Sequence, residues 1–243
     1  MAGKFFKGAF VSFMPTFIGS LPNVIVFQFN PETITHTWSA AAAAAPESGS
    51  RADPLAVRGV PGEQFSFSLA VDAGDMIADG ASNPIAAGLA FASGVYTRLA
   101  ALEMLLYPSG AFGGGLLGTV SASVSVGGVN VFSASASTPP ATVPRSEVPT
   151  VLFVWGPQRI IPVRVTALSI TEKLYDPLLN PTHADVQITL KVLTPEELTS
   201  IKSELGTVAK VAYTYSQGLR QVQAVANLGD AAASIIGMLP GPF

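Results

Sequence analysis

Residues 64–71 read Gln-Phe-Ser-Phe-Ser-Leu-Ala-Val. Phe65, Phe67, Leu69 and Val71 alternate with Gln64, Ser66, Ser68 and Ala70, the period of two that puts every apolar side chain on one face of a pleated strand. Such a strand needs a sheet around it, and the flanking sequence supplies candidates. Before it, Gly8 to Phe13, Val24 to Phe29 and Thr33 to Trp38 read as strands, the last two joined by the turn Asn30-Pro31-Glu32. After it, Val151 to Trp155, Ile160 to Ile170 and Ala184 to Leu193 resume the pattern, with a loop at Tyr175 to Pro181. The expected fold is mainly β.

Helical signals are fewer. Asn83-Pro84 suits a helix start, asparagine capping and proline in the first turn. From Gly94 to Tyr107, Val95, Leu99, Leu102 and Leu106 share one face before Pro108, which predicts one helix packed on the strands. Thr194-Pro195-Glu196-Glu197 begins another, with acids in the first turn where the helix dipole favours them. Leu198, Ile201, Leu205 and Val208 carry it towards Arg220, and the small, apolar residues from Val222 to Phe243 read as a docking segment or a loose tail. The chain thus divides into a β domain, residues 1–194, and a helical C-terminal extension with an apolar tail, residues 195–243. Within the β domain, residues 40–62 read as a loop.

Only 12% of the 243 residues are charged while 49% are hydrophobic, against roughly 25% charged in an ordinary soluble domain. Much of the surface is therefore expected to be covered. No stretch provides the roughly 20 uninterrupted apolar residues of a spanning helix, so no membrane insertion is expected. Lys4 and Lys7 ahead of the Ala9 to Leu21 run superficially resemble a signal peptide, but Pro15 interrupts it and no cleavage site follows. The absence of cysteine excludes disulfides, thiolate zinc sites and a cysteine nucleophile. Thirteen Lys and Arg scattered among 16 Asp and Glu supply no basic stripe for nucleic acid.

The longest uncharged run, Met104 to Pro144, holds no Asp, Glu, Lys or Arg in its 41 residues. Inside it Val120, Val124 and Val126 lead to Gly127-Gly128, and Val129 and Val131 continue beyond, the signature of a hairpin spanning residues 119–135. Edge strands are normally guarded by charge. This one has none and is expected to be covered.

Signals for chemistry are weak. Gly113 to Gly118 matches G-x-G-x-x-G, but a helix precedes it and a hairpin follows, the reverse of a dinucleotide site. Asp72, Asp75 and Asp79 lack the spacing of a calcium loop and read better as a solvated loop. His36 and His183 are the only histidines, with no second ligand at metal spacing and no nucleophile elbow. No catalytic, metal or cofactor residue is expected.

Four segments in order resemble the tube-protein family of contractile injection systems, the phage-tail-like particles whose baseplate contains a tube-like adaptor. They are Phe27-Gln28-Phe29-Asn30-Pro31-Glu32; Pro61-Gly62-Glu63 leading into Phe65 to Leu69 and the Asp72 turn; the helix around Leu99-Ala100-Ala101-Leu102 ending at Tyr107-Pro108; and Pro149 to Gly156 followed by Ile170-Thr171-Glu172, Tyr175-Asp176, Asn180 to Ala184 and the strand to Leu193. Two departures stand out. Asn180-Pro181-Thr182-His183-Ala184 replaces the family's usual G-x-P-x-R-A, and no LysM-like peptidoglycan module follows, so a cell-wall-binding role has no support.

The resemblance implies a tail-tube-like β-sandwich or split β-barrel of two antiparallel sheets with one flanking helix. It also implies a homo-oligomer, a hexameric ring, without enzymatic activity or cofactor. The expected partners are the inner tube protein and the spike, hub and other baseplate proteins. The particle would be assembled in the bacterial cytoplasm, its later release left open. The expected role is an adaptor ring joining spike to inner tube; a repeated inner-tube subunit is the alternative in the same machine, and a small-molecule-binding or hydrolytic β-barrel the alternative outside it. The assembly-interface candidates are Val120, Val124, Val126, Val129 and Val131 in the hairpin, and Leu198, Ile201 and Leu205 in the extension.

Overall fold

The computed structural model describes residues 6–16, 19–43, 55–81, 83–107, 119–121, 125–126, 129–130, 135–137, 148–201 and 204–238. In chain order the elements are β1 (Ala9–Thr16), β2 (Gly19–Val26), β3 (Ile34–Ser39), β4 (Ala42–Ala43), β5 (Val57–Arg58), β6 (Gly62–Asp72), α1 (Ala73–Ala78), α2 (Pro84–Ser93), α3 (Tyr96–Glu103), β7 (Thr119–Ser121), β8 (Ser125–Val126), β9 (Val129–Asn130), β10 (Ser135–Ser137), β11 (Val151–Val154), β12 (Ile160–Tyr175), β13 (Pro181–Val192), α4 (Pro195–Ser200) and α5 (Glu204–Met238). The fold is mainly β, with helices at one shoulder and at the C-terminus.

The expectation of two packed sheets needs correcting. The seven longer strands form one antiparallel sheet in the order β2-β1-β11-β12-β13-β6-β3. Strand β6 lies three positions from β11, which in a flat sheet would separate them by roughly 14 Å. The rings of Phe67 and Phe153 nevertheless stack at 5.4 Å, and Phe10 of β1 stands 6.3 Å from Phe67. The single sheet therefore curls over its own aromatic centre, and one core does the work expected of an interface between two sheets.

Residue parity explains what fills that centre. Phe65, Phe67, Leu69 and Val71 of β6 point inward, as their alternation requires, and meet Val186, Ile188 and Leu190 of β13. Strand β12 begins with Ile161, Val163 and Val165 inward. At Thr166 the register to β13 shifts between Val165 and Ala167, and the Thr166 hydroxyl donates to the Thr189 carbonyl at 3.2 Å. This bulge reverses the parity, so Leu168 and Ile170 are the residues that pack on the core afterwards.

The expected single flanking helix is a group. Asp72, Asp75 and Asp79 do not form a solvated loop: the Asp72 carboxylate caps α1 by accepting from Asp75 N–H at 2.9 Å, and Asp79 opens a 3₁₀ turn. Asn83 caps α2 as its sequence suggested, accepting from Ala86 N–H. At Gly94, φ is +58° and an added Cβ would lie 2.2 Å from the Pro181 carbonyl oxygen. Only glycine fits that corner, which turns the chain by 96° into α3. Helix α3 ends at Glu103 rather than Tyr107, and the tightened turn after it puts Leu105 into the core beside Val95, Leu99 and Leu102. No single helix among the described residues is long and apolar enough to cross a membrane.

The reverse face of the sheet carries a second cluster. Leu152 and Val11, of opposite parity to Phe153 and Phe10, pack with Leu193, Leu198, Ala209 and Ala212. Thr194 starts α4 with a complete capping box to Glu197. The expected continuous helix breaks at Ile201, whose ψ is 108°, and restarts as α5, which runs through the segment expected to be tail.

Candidate assembly surfaces

The sheet is open at β2 and β3. Among the described residues no further strand pairs with either. Neither contains a lysine, arginine or acid; Pro22 lies in β2, and the Arg98 guanidinium donates to the Val26 carbonyl at 3.0 Å. Val24 and Val26 of β2 are exposed and border a groove with Met76, Ala86, Leu89 and Ala101. Beside it the motif residue Gln28 is buried. Its amide accepts from Asp72 N–H at 3.0 Å and donates to the Asp72 carbonyl at 2.8 Å, mimicking a strand's backbone at the end of β6. Asn30 likewise accepts from Gly8 N–H and donates to the Phe6 carbonyl, both at 2.9 Å. These two motif side chains hold the N-terminal segment in place rather than forming a binding site.

A second surface sits at the tip between β12 and β13. The Asp176 carboxylate accepts from Leu178 N–H and Asn180 N–H at 2.8 Å and from the Asn180 side-chain amide at 2.9 Å. These bonds, that to the Asn180 side chain foremost, hold the Asp176 pKa below the usual carboxylate value. The turn they build displays Leu178 at 80% and Leu179 at 75% exposure. Leu174 and Leu179 have φ of +54° and +65°, a region costing a branched residue on the order of 1–2 kcal/mol. Leu178, between them in the turn, borders a groove that also contains Ile77 and Phe91, the latter 80% exposed.

The third surface is a latch between the sheet and α5. Glu63 lies on the inward row of β6, in register with Trp38 of β3, and its side chain is 4% exposed. A buried carboxylate needs a partner. Arg220 supplies it with both terminal nitrogens, one at 2.8 Å to Oε2 and the other to Oε1, and its guanidinium also lies 5.1 Å from the Trp38 ring centre. His36 stacks on Phe65 at 4.1 Å and brings Nε2 within 2.8 Å of Glu63 Oε1, at an angle that makes no hydrogen bond. Burial pulls the His36 pKa below its usual value, more than the Glu63 charge raises it.

The residues singled out from sequence fare unequally. Backbone pairing of Ser125 with Asn130, Val126 with Val129 and Thr119 to Ser121 with Ser135 to Ser137 places Val120, Val126 and Val129 in the expected hairpin. Val124 and Val131 lie outside the described residues. Leu198 is corrected: it is fully buried in its own chain's second cluster and is no contact for a neighbour. Ile201 is half-buried against the same cluster, and Leu205 lies in the first turn of α5. His183 sits 3.2 Å from Asp72 and 3.5 Å from Asp185, while the Asp185 carboxylate is bound by Lys173. Among the described residues no group of three or more His, Asp or Glu is placed to hold a metal ion.

The tip leucines and the latch were missed from sequence, the first because a loop gives no burial pattern, the second because Glu63 and Arg220 are 157 positions apart. No known family model matches the chain, and no curated protein matches it.

Proposed function

We propose that this chain is a non-enzymatic, ring-forming structural subunit of a contractile injection system, an adaptor joining the spike-carrying hub to the inner tube. The observation that carries the reading is the outward-held apolar tip, with Leu174, Leu178 and Leu179 exposed and Leu178 bordering a groove with Phe91. A lone soluble domain gains nothing from leucines fixed in water by a strained turn, whereas a neighbour covering them recovers roughly 25 cal/mol per Å². The two uncharged edges at opposite ends of one antiparallel sheet support the same reading, since a head-to-tail contact between unlike surfaces closes into a ring when its rotation permits. The tail-tube-like character of the curled sheet, the sixfold order and the baseplate partners rest on the motif resemblance.

The test is the native mass of the purified chain by light scattering. A ring of about six copies is expected, and Leu178→Glu with Leu179→Glu should shift the mass towards that of one chain. A wild-type chain that stays monomeric at high concentration would overturn the proposal. In isolated particles about one ring of copies is expected; many rings would make it the tube subunit instead.

A further inference from the structure

Helix α5 has two apolar faces. Ala209, Ala212 and Ser216 are buried against the chain's own sheet, and the Ser216 hydroxyl donates to the Ile160 carbonyl at 2.7 Å. Beside that face Val208, Val211, Tyr215, Gly218, Val222, Val225 and Gly229 follow one another at alternating steps of three and four, the seam of a left-handed coiled coil over three heptads, with the Tyr215 hydroxyl tied to the chain's own Pro157 carbonyl at 3.0 Å. Val211, Val222 and Val225 on that seam are each about two-thirds exposed. Past the Arg220 latch residues 221–229 are all exposed, and the last side-chain bond described to the chain's own domain is Gln223 Nε2 to Gln158 Oε1 at 3.2 Å. The helical stretch from 221 to 238 is roughly 27 Å long. It contains one charged residue, Asp230, and no ion pair along its surface could stabilise it alone.

The positions flanking the seam decide the partner. Coiled coils select a different chain through charges beside the seam. Here those positions are Thr207, Ala212, Thr214, Leu219, Gln221, Ala226 and Leu228, with no charge among them, Ala212 being covered by the chain's own sheet. An uncharged seam meets a copy of itself without repulsion, and glycines at 218 and 229 leave room for close approach. Val208, Val211, Val222, Val225 and Leu228 leave on the order of 500 Å² in water per copy, so pairing removes at most about 1,000 Å², which reaches only the lower bound of a specific interface.

We propose that the outer seam of α5 packs in parallel against the same helix of a second copy of this chain. The parallel sense rests on the ring reading, in which the helices of all copies point the same way. The wild-type chain has no cysteine, so one introduced thiol reports without background. In the full chain, Val225→Cys on the seam is expected to form intermolecular disulfides under mild oxidation at least about tenfold more than Asn227→Cys on the opposite side. Native mass is measured alongside. An assembled chain in which the two thiols cross-link equally, or neither does, overturns the helix pairing and leaves the ring standing. A dimer in which only Val225→Cys cross-links supports the pairing and overturns the ring. A chain monomeric throughout overturns both.

Discussion

The two halves of α5 share a helix and almost nothing else. From Gly206 to Arg220 small residues face the sheet, Ala209 fully buried and Ala212 nearly so, and Arg220 ends the stretch by neutralising a buried carboxylate. From Gln221 onward the same helix continues with equal regularity but is exposed through Gly229, with Gln223 still reaching Gln158 at 3.2 Å. The first half belongs to the fold, and the second is the segment proposed to pair with another copy. A helix of 35 residues can serve both because its backbone bonds are satisfied internally, leaving each face free for a different neighbour.

The largest expected effect breaks the inner half. Leu198 is completely buried between Leu193 and the start of α5, so Leu198→Ala leaves a cavity and should lower the unfolding free energy by about 3 kcal/mol. Val222→Ala, in the outer half, should change the stability of the single chain by less than about 0.5 kcal/mol. Urea unfolding at low protein concentration compares them; equal losses would show that the projecting half belongs to the fold after all.

The latch comes next. Glu63→Ala leaves Arg220 facing an apolar row, with an expected loss of about 2–3 kcal/mol; the 29% exposure of Arg220 keeps this below the full cost of an unpaired buried charge. Arg220→Met alone should cost a similar amount by stranding Glu63. The double variant should cost less than the two losses together, a coupling of at least about 1 kcal/mol in a double-mutant cycle. Additive losses would mean that the ion pair does not hold α5 to the sheet.

How far these features could be read in advance depends on whether their signal is local. The alternation of Phe65 to Val71 is written in eight residues and reappears as buried and exposed rows of β6. The caps at Asn83 and Thr194 are equally local and formed as read. The curl of the sheet was hidden, because it depends on Phe10, Phe67 and Phe153 meeting from strands distant in sequence. So was the parity switch in β12, where Thr166 looks like any strand threonine until its bulge is seen. Leu198 was misassigned for a related reason: an apolar stripe announces burial without saying which surface does the burying. The outer seam of α5 was legible as a pattern, but the small residues after Val222 disguised it as tail.

The smallest effect lies at the boundary between the two halves. His36 touches Glu63 and stacks on Phe65, with Arg159 and Arg220 as the other charges that bear on it. Because burial sets its folded pKa below the ordinary value of 6.5, the unfolded chain takes up the proton first as the medium is acidified. Stability from the neutral imidazole is therefore complete above pH 6.5 and is lost as pH falls through the window between that value and the lower folded pKa. His36→Phe keeps the stacking and removes the titration, so its stability should fall less between pH 7.5 and 5.5 than that of the wild type. All other groups are common to the two proteins and cancel in the difference. A difference that vanishes would mean that His36 is equally at ease charged in the fold, and that Glu63, already neutralised by Arg220, still has enough field to hold a second cation.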